Sequence, residues 1–95
     1  MMENNEYCMI ELVVRNHPGV MAHITGLFAR RAFNLEGILC GRIGDGKNSR
    51  MYLLIKDDEY REQVVKQLKK LYDVLEVNLH KKYNHRLFEL LNTVY

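Results

Sequence analysis

Residues Cys8 to Arg15 alternate: Cys8, Ile10, Leu12 and Val14 fall on one face, and Met9, Glu11, Val13 and Arg15 on the other. A period of two is the mark of a strand with two unlike faces. The alternation stops at Asn16-His17-Pro18-Gly19. Pro18 pushes His17 toward extended geometry and, having no N–H, suits the first turn of a helix, so the strand is expected to run directly into one. From Val20 to Phe33 the apolar residues Val20, Ile24, Leu27 and Phe28, joined by Met21, share one helical stripe that should face a sheet. A second stripe, Ala22, Gly26, Ala29 and Phe33, is mostly small and would admit another backbone. Gly26 otherwise costs a helix interior about 1 kcal/mol relative to Ala. Either the second helix of the same chain or a second copy of the chain would fill that stripe. Asn34 is the expected left-handed stop.

Residues 35 to 43 read as a second strand, in which Gly37 and Gly41 suggest a bulge or a close approach. Gly44 to Asn48 is turn chemistry that closes a hairpin with a third alternating strand, Arg50 to Lys56. Asp57, Asp58 and Glu59 then open a second helix, with Tyr60, Val64, Leu68, Leu71 and Tyr72 as its buried face. Asp73 breaks it, and Val74 to His80 forms a fourth strand. The order βαββαβ over residues 8–80 predicts an α+β, ferredoxin-like domain: a four-stranded antiparallel sheet with both helices on one face. Residues 1–7 are left as an N-terminal tail. In the C-terminal extension, 81–95, Leu87, Leu90, Leu91 and Val94 recur at helical spacing. That spacing suits a short amphipathic helix or a segment that packs on a partner, and equally a tail folded against its own domain.

A chain of 95 residues holds one such domain and leaves no room for a separate catalytic one. No stretch approaches the roughly 20 apolar residues of a membrane span, and the first residues show no leader pattern, so a cytoplasmic chain is expected. Fourteen Lys and Arg against twelve Asp and Glu give a net charge of +2, too even to imply nucleic acid. Cys8 and Cys40 lack metal-ligand spacing and are expected to be buried thiols in a reducing compartment. The four histidines are scattered, with His17 and His23 six apart and well separated around a helix. No nucleophile–base pair, acid–base carboxylate pair or glycine-rich phosphate loop can be assigned, so neither a catalytic residue nor a metal ligand is expected. Arg31 falls on the core-facing stripe by helical angle and should snorkel or reach Glu36.

The junction Arg15 to Met21 is the one candidate binding site. A helix start offers free amides and positive potential that suit a carboxylate, and Gly19 puts no side chain in a ligand's way. Asn16 carries both a donor and an acceptor that could read an α-amino group, while Val20 and Met21 add apolar surface. On physics alone, Asn16 and Gly19 serve equally well as turn and cap residues.

The runs Val14-Arg15-Asn16-His17-Pro18-Gly19-Val20-Met21, Gly26 to Asn34 and Leu35-Glu36-Gly37-Ile38 resemble the ACT domain of the small regulatory subunit of acetohydroxyacid synthase (acetolactate synthase). The similarity is greatest to the short, single-domain, valine-sensitive form, and Leu71 to Val77 resembles the lead into that family's last strand. The resemblance implies a subunit that is not itself an enzyme. It would bind a catalytic chain carrying thiamine diphosphate, Mg and FAD, raise its activity, and confer feedback inhibition by a branched-chain amino acid, usually valine. It also implies a homodimer with the effector between protomers: Asn16, Gly19, Val20 and Met21 on one side and Asn34 from the other. Ala22, Gly26, Ala29 and Phe33 would lie at the dimer interface. The family's longer members carry a second domain that this sequence lacks.

The sheet face away from the helices is expected to show Val13, Ile38, Cys40, Tyr52, Leu54 and Val74, an apolar patch suited to a catalytic subunit. Other readings are a free-standing ACT amino-acid sensor with a different partner, an acylphosphatase-like hydrolase hinted at by Arg15, and an RNA-binding module for which Tyr52 alone is a stacking candidate.

Overall fold

The computed structural model describes residues 7–80; Tyr7, expected in the tail, already belongs to the first strand, while residues 1–6 of that tail and the 81–95 extension with its helical spacing lie outside the described residues. The chain forms β1 (Tyr7–Arg15), α1 (Val20–Arg30), β2 (Gly37–Ile43), β3 (Asn48–Lys56), α2 (Arg61–Lys69) and β4 (Val74–His80). The strands make one antiparallel sheet in the order β2-β3-β1-β4, the ferredoxin-like arrangement the element order predicts. β1 is central. It pairs with β3 from Tyr7↔Lys56 to Arg15↔Asn48 and with β4 from Met9↔His80 to Val14↔Val74.

The alternation in β1 sorts as expected: Cys8, Ile10, Leu12 and Val14 are fully buried beneath the helices. They meet Met51, Leu53 and Ile55 of β3, Val20, Ile24, Leu27 and Phe28 of α1, and Val64 and Leu68 of α2. Strand parity also corrects the expected outer patch. Residues directly opposite share a face, and Ile38 lies opposite Leu53, Cys40 opposite Met51, and Val74 opposite Val14. These three therefore belong to the helix side, and Ile38 and Val74 pack on the core. The open face instead carries Met9, Val13, Leu39, Ile43, Tyr52 and Leu54. At its middle sits a charged group, in which Glu11 accepts from His80 Nε2 at 2.9 Å and lies 3.0 Å from Arg50 Nε. Cys8 is buried as expected but Cys40 is exposed, because it stands on an edge strand.

Neither glycine bends β2, which keeps an unbroken register with β3 from Gly37 to Ile43. Among the described residues, the register shifts instead between β1 and β4, at Val13/Val14. Nothing in the described fold comes within 4 Å of a Cβ placed at Gly41. The second helix is shorter than expected, and its flanking tyrosines leave the core. Tyr60 is exposed and packs its ring on Phe33, while Tyr72 is exposed beneath the Arg15 guanidinium, 4.7 Å from the ring centroid. Asp58 Oδ1 accepts the Tyr60 amide, so this acid builds the turn before α2 and lies outside the helix itself.

The first helix stops before Phe33, and Asn34 is not its left-handed residue. Ala32 is, with φ 57°. Its amide reaches Ala29 O at 3.3 Å and the Phe33 amide reaches Phe28 O at 2.9 Å, the paired bonds of a left-handed C-terminal cap. The Phe33 ring then stacks edge-on against Phe28, with centroids 6.0 Å apart. Ending the helix there also releases Arg31 from the core stripe, so it is an exposed capping residue. An L-residue in this conformation costs about 1–2 kcal/mol, of which glycine's greater unfolded-state entropy takes back part. Ala32→Gly is therefore expected to stabilise the domain by about 0.5–1 kcal/mol. Urea unfolding checks this, and a lowered midpoint with unchanged slope would contradict it.

Candidate functional site at the β1–α1 junction

The junction is fastened on two sides because β1 lies between β3 and β4. On the hairpin side, the Asn16 amide donates to Lys47 O at 2.9 Å and Asn16 Nδ2 to Gly46 O at 2.8 Å. On the other side the Arg15 amide donates to Asp73 O at 2.8 Å. With Nδ2 engaged by a carbonyl, Asn16 keeps Oδ1 as an acceptor chemically suited to an ammonium group.

The next four residues form a tight turn. Gly19 has φ 91° and ψ −8°, and the Val20 amide closes onto His17 O at 3.2 Å. Those are the angles of the third residue of a type II turn, whose second residue favours proline. Among the described residues no side chain caps α1, and its first ladder bond runs from the His23 amide to Gly19 O at 2.9 Å. The turn takes up the Val20 amide, while the amides of Met21 and Ala22 have no intrahelical acceptor, which leaves those two for a ligand or water. A Cβ at Gly19 would meet nothing within 4 Å, so the glycine is required for its backbone angle and leaves open space above the turn.

Each expected effector residue can now be placed. Asn16 and Gly19 are exposed at the turn, and Met21 is 39% exposed beside it. Val20 buries its side chain in the core, so only its backbone faces the site. Asn34 is elsewhere: it follows the far end of α1 and lines a cleft of about 130 Å3 with Phe33, Lys56, Asp58 and Arg61. α1 separates the two groups by about 16 Å at 1.5 Å per residue, so one chain does not bring them together. Of the expected interface stripe, Ala22 and Ala29 are exposed and Gly26 is half-buried, with only Arg30 Nη1 within 4 Å of a Cβ built there. The second helix thus does not cover this stripe. Phe33 is half-buried between Phe28 and Tyr60 of its own chain.

Sequence spacing missed a group at the same junction. His17 and His23 are not well separated; their rings sit edge-on with centroids 6.2 Å apart. Asp73 gathers them, accepting His17 Nε2 at 2.7 Å on one oxygen and His23 Nδ1 at 2.9 Å on the other. Helical angle is the wrong measure, since His17 precedes the helix. The signal was the topology: β4 lies beside β1, so the residue that begins β4 must meet the residues that end β1. The hydrogen bond to Asp73 and then that to the Pro18 carbonyl hold the His17 imidazolium above the ordinary histidine value of 6.5. Partial desolvation and the Arg15 charge oppose them. The two imidazoles, His17 foremost, hold the Asp73 carboxyl below its ordinary value.

A raised histidine contributes stability that is complete below its unfolded value and disappears as pH rises through its folded one; a lowered carboxyl contributes above its unfolded value and loses this as pH falls. The pair is therefore expected to stabilise the domain from mildly acid to neutral pH and to release on either side. NMR titration of the imidazoles should place His17 above 6.5, and Asp73→Asn should bring it down. An unshifted His17 in the unaltered chain would contradict this geometry.

Known proteins with the same pattern identify the family. Residues 10–76 match the AHAS small subunit-like ACT domain. The acetolactate synthase isozyme 1 small subunit of Escherichia coli is 58% identical over 69 residues, 73% of this chain and 72% of that protein. A probable acetolactate synthase small subunit of Archaeoglobus fulgidus is 43% identical over 70 residues, but only 44% of its length is covered. The crystal structure of the acetolactate synthase small subunit from Thermotoga maritima superposes with a TM-score of 0.70 at 36% identity, over 77% of this chain and 46% of that one. The regulatory subunit of aspartate kinase from Thermus flavus shares the fold, with a TM-score of 0.66 at 18% identity. With its βαββαβ sheet and its match across most of its length, the chain belongs to the acetolactate synthase small-subunit family and is built on that family's ACT domain.

Proposed function

We propose that this chain is a non-catalytic regulatory subunit that binds valine, or a related branched-chain amino acid, at the β1–α1 junction. It answers to a catalytic acetolactate synthase chain, whose activity it raises in the absence of effector. The observation that carries the reading is the junction itself: a helix start with no side-chain cap among the described residues, an exposed left-handed Gly19 and the Asn16 carboxamide all lie within residues 16–20. Amides at a helix start suit the α-carboxylate, Asn16 Oδ1 suits the α-ammonium, and the exposed Met21 suits an aliphatic side chain.

One chain supplies half of such a site. Among the described residues nothing pairs with the outer side of β2, and the exposed Ala22 and Ala29 lie on α1, which crosses over β3 on its way to that edge. A two-fold axis normal to the sheet would set two β2 strands antiparallel and two α1 helices antiparallel, with Ala22, Gly26 and Ala29 letting the helices approach. The start of one α1 then stands beside the end of its partner, so Asn16 and Gly19 face the second protomer's Asn34. The separation of these residues within one chain is what such a pairing overcomes. The effector would favour one arrangement of the pair, and the catalytic chain would respond through its differential affinity for the two, a coupling of typically about 1–3 kcal/mol. Thiamine diphosphate, Mg and FAD belong to that catalytic chain in this scheme, and the assembly is cytoplasmic.

Calorimetric titration with valine, leucine, isoleucine and an unrelated amino acid, alongside a solution mass, tests the reading. A dimer that binds the branched-chain compounds supports it. A strict monomer indifferent to all of them, with or without the catalytic chain, would sink it. Asn16→Ala and Gly19→Asp are each expected to abolish valine inhibition while association with the catalytic chain survives. The first removes the ammonium acceptor; the second sets a carboxylate against the effector's own, on a backbone angle that disfavours any side chain.

A further inference from the structure

His17 presents both ring nitrogens to acceptors: Nε2 lies 2.7 Å from Asp73 Oδ1, and Nδ1 lies 2.6 Å from the Pro18 carbonyl oxygen. A carbonyl oxygen only accepts, and an ionised carboxylate only accepts, so both contacts are hydrogen bonds only when the ring carries both protons. The Pro18 carbonyl belongs to the same planar unit as the Gly19 amide, and in a trans peptide the two point in opposite directions. Holding one therefore aims the other. That unit is also the central peptide of the turn, whose rotation is what separates type II from type I; Gly19 at φ 91° shows it in the type II setting.

We infer that Asp73 and His17 are positioning residues of the effector site: the carboxylate holds the doubly protonated ring, the ring holds the Pro18 carbonyl, and the Gly19 amide is thereby aimed at the effector's carboxylate. This rests on the effector reading above and extends it to two residues and a dependence on pH. When His17 loses a proton, the ionised Asp73 retains the Nε2–H. Nδ1 is left as a lone pair 2.6 Å from a carbonyl oxygen, a repulsive contact that frees the peptide to turn. The site then receives a carboxylate less well, so effector binding weakens as pH rises through the titration of His17.

The groups around the ring agree with this assignment. Arg15 on β1 opposes the imidazolium, and Asp73, in the α2–β4 connection, outweighs it. His23 and Arg30 on α1, with Tyr72 beside Asp73, share with His17 a recess of about 530 Å3. Asp73 is 5% exposed, so the carboxylate is sheltered where it grips the rings. Among the described residues the His23 ring makes one hydrogen bond, to Asp73, which needs only one ring N–H, whereas the two contacts of His17 need both; the step in binding is therefore assigned to His17.

Valine titrated calorimetrically into the full-length chain from pH 6 to 8.5 tests the inference, since valine stays a zwitterion throughout. The unaltered chain is expected to lose affinity by about tenfold, within the usual range for coupled sites, along the His17 imidazole titration followed by NMR. Asp73→Asn should move that loss to lower pH, His23→Gln should retain it, and His17→Gln should bind with a weakened affinity that no longer depends on pH. Affinity that stays flat while His17 titrates, or a pH step that survives in His17→Gln, overturns the inference. If the unaltered chain binds no aliphatic amino acid at any pH, the effector reading fails separately. The Gly19 amide shift then decides the clamp: it must follow the His17 titration and must not move in His17→Gln.

Discussion

The central place of β1 is the constraint on which the rest depends. A strand paired on both sides delivers its last residues between two neighbouring loops, and here these are the β2–β3 turn and the α2–β4 connection. The main chain of Arg15 and Asn16 is fastened to one on each side, so Pro18 and Gly19 begin from a fixed base. A glycine turn on a loose loop would sample many orientations; on this base its starting point is fixed, and the amides behind it are presented as a set. The buried alternation of β1 thus supports the core and the candidate site at once.

Much of this was legible in the residues. The period of two in residues 8–15 and in Met51, Leu53 and Ile55 carried over directly to the core, and the Pro18-Gly19 pair marked where strand becomes helix. What sequence periodicity misplaced were positions governed by contacts beyond its reach. Asn34 is the residue type favoured in left-handed caps, yet the packing of Phe33 on Phe28 closes the helix two residues earlier and forces the conformation on Ala32. Tyr60 and Tyr72 suited a helical stripe but lie beyond the ends of α2, one stacked on Phe33 and the other under Arg15. Ile38, Cys40 and Val74 went to the wrong face because a strand's pattern gives its parity, while its register with the neighbour decides which parity faces the helices.

The candidate site divides in the same way. Asn16 and Gly19 could be named from local chemistry, because a turn and a helix start are local objects. The join of His17 and His23 through Asp73 spans 50 residues from His23 and follows from strand order, which no spacing along the chain encodes. Asn34 is a different case: the resemblance assigned it to the second protomer's side of the site, and within one chain the fold holds Asn16 and Asn34 at opposite ends of α1. In the proposed pair, the exposed alanines of α1 and the outer side of β2, unpaired among the described residues, would form the contact.

The hairpin's share in fastening the junction has one more consequence. Asn16 takes from that turn two main-chain oxygens, those of Gly46 and Lys47, and no side chain. The identity of this loop's residues then matters to the junction only through its backbone, in which Gly44 and Gly46 hold positive φ, while its length matters directly, since an inserted residue would displace both oxygens together. The Asp73 connection is held to the opposite rule: there a carboxylate at one position matters, and homologous chains would tolerate drift in its neighbours sooner than in that residue.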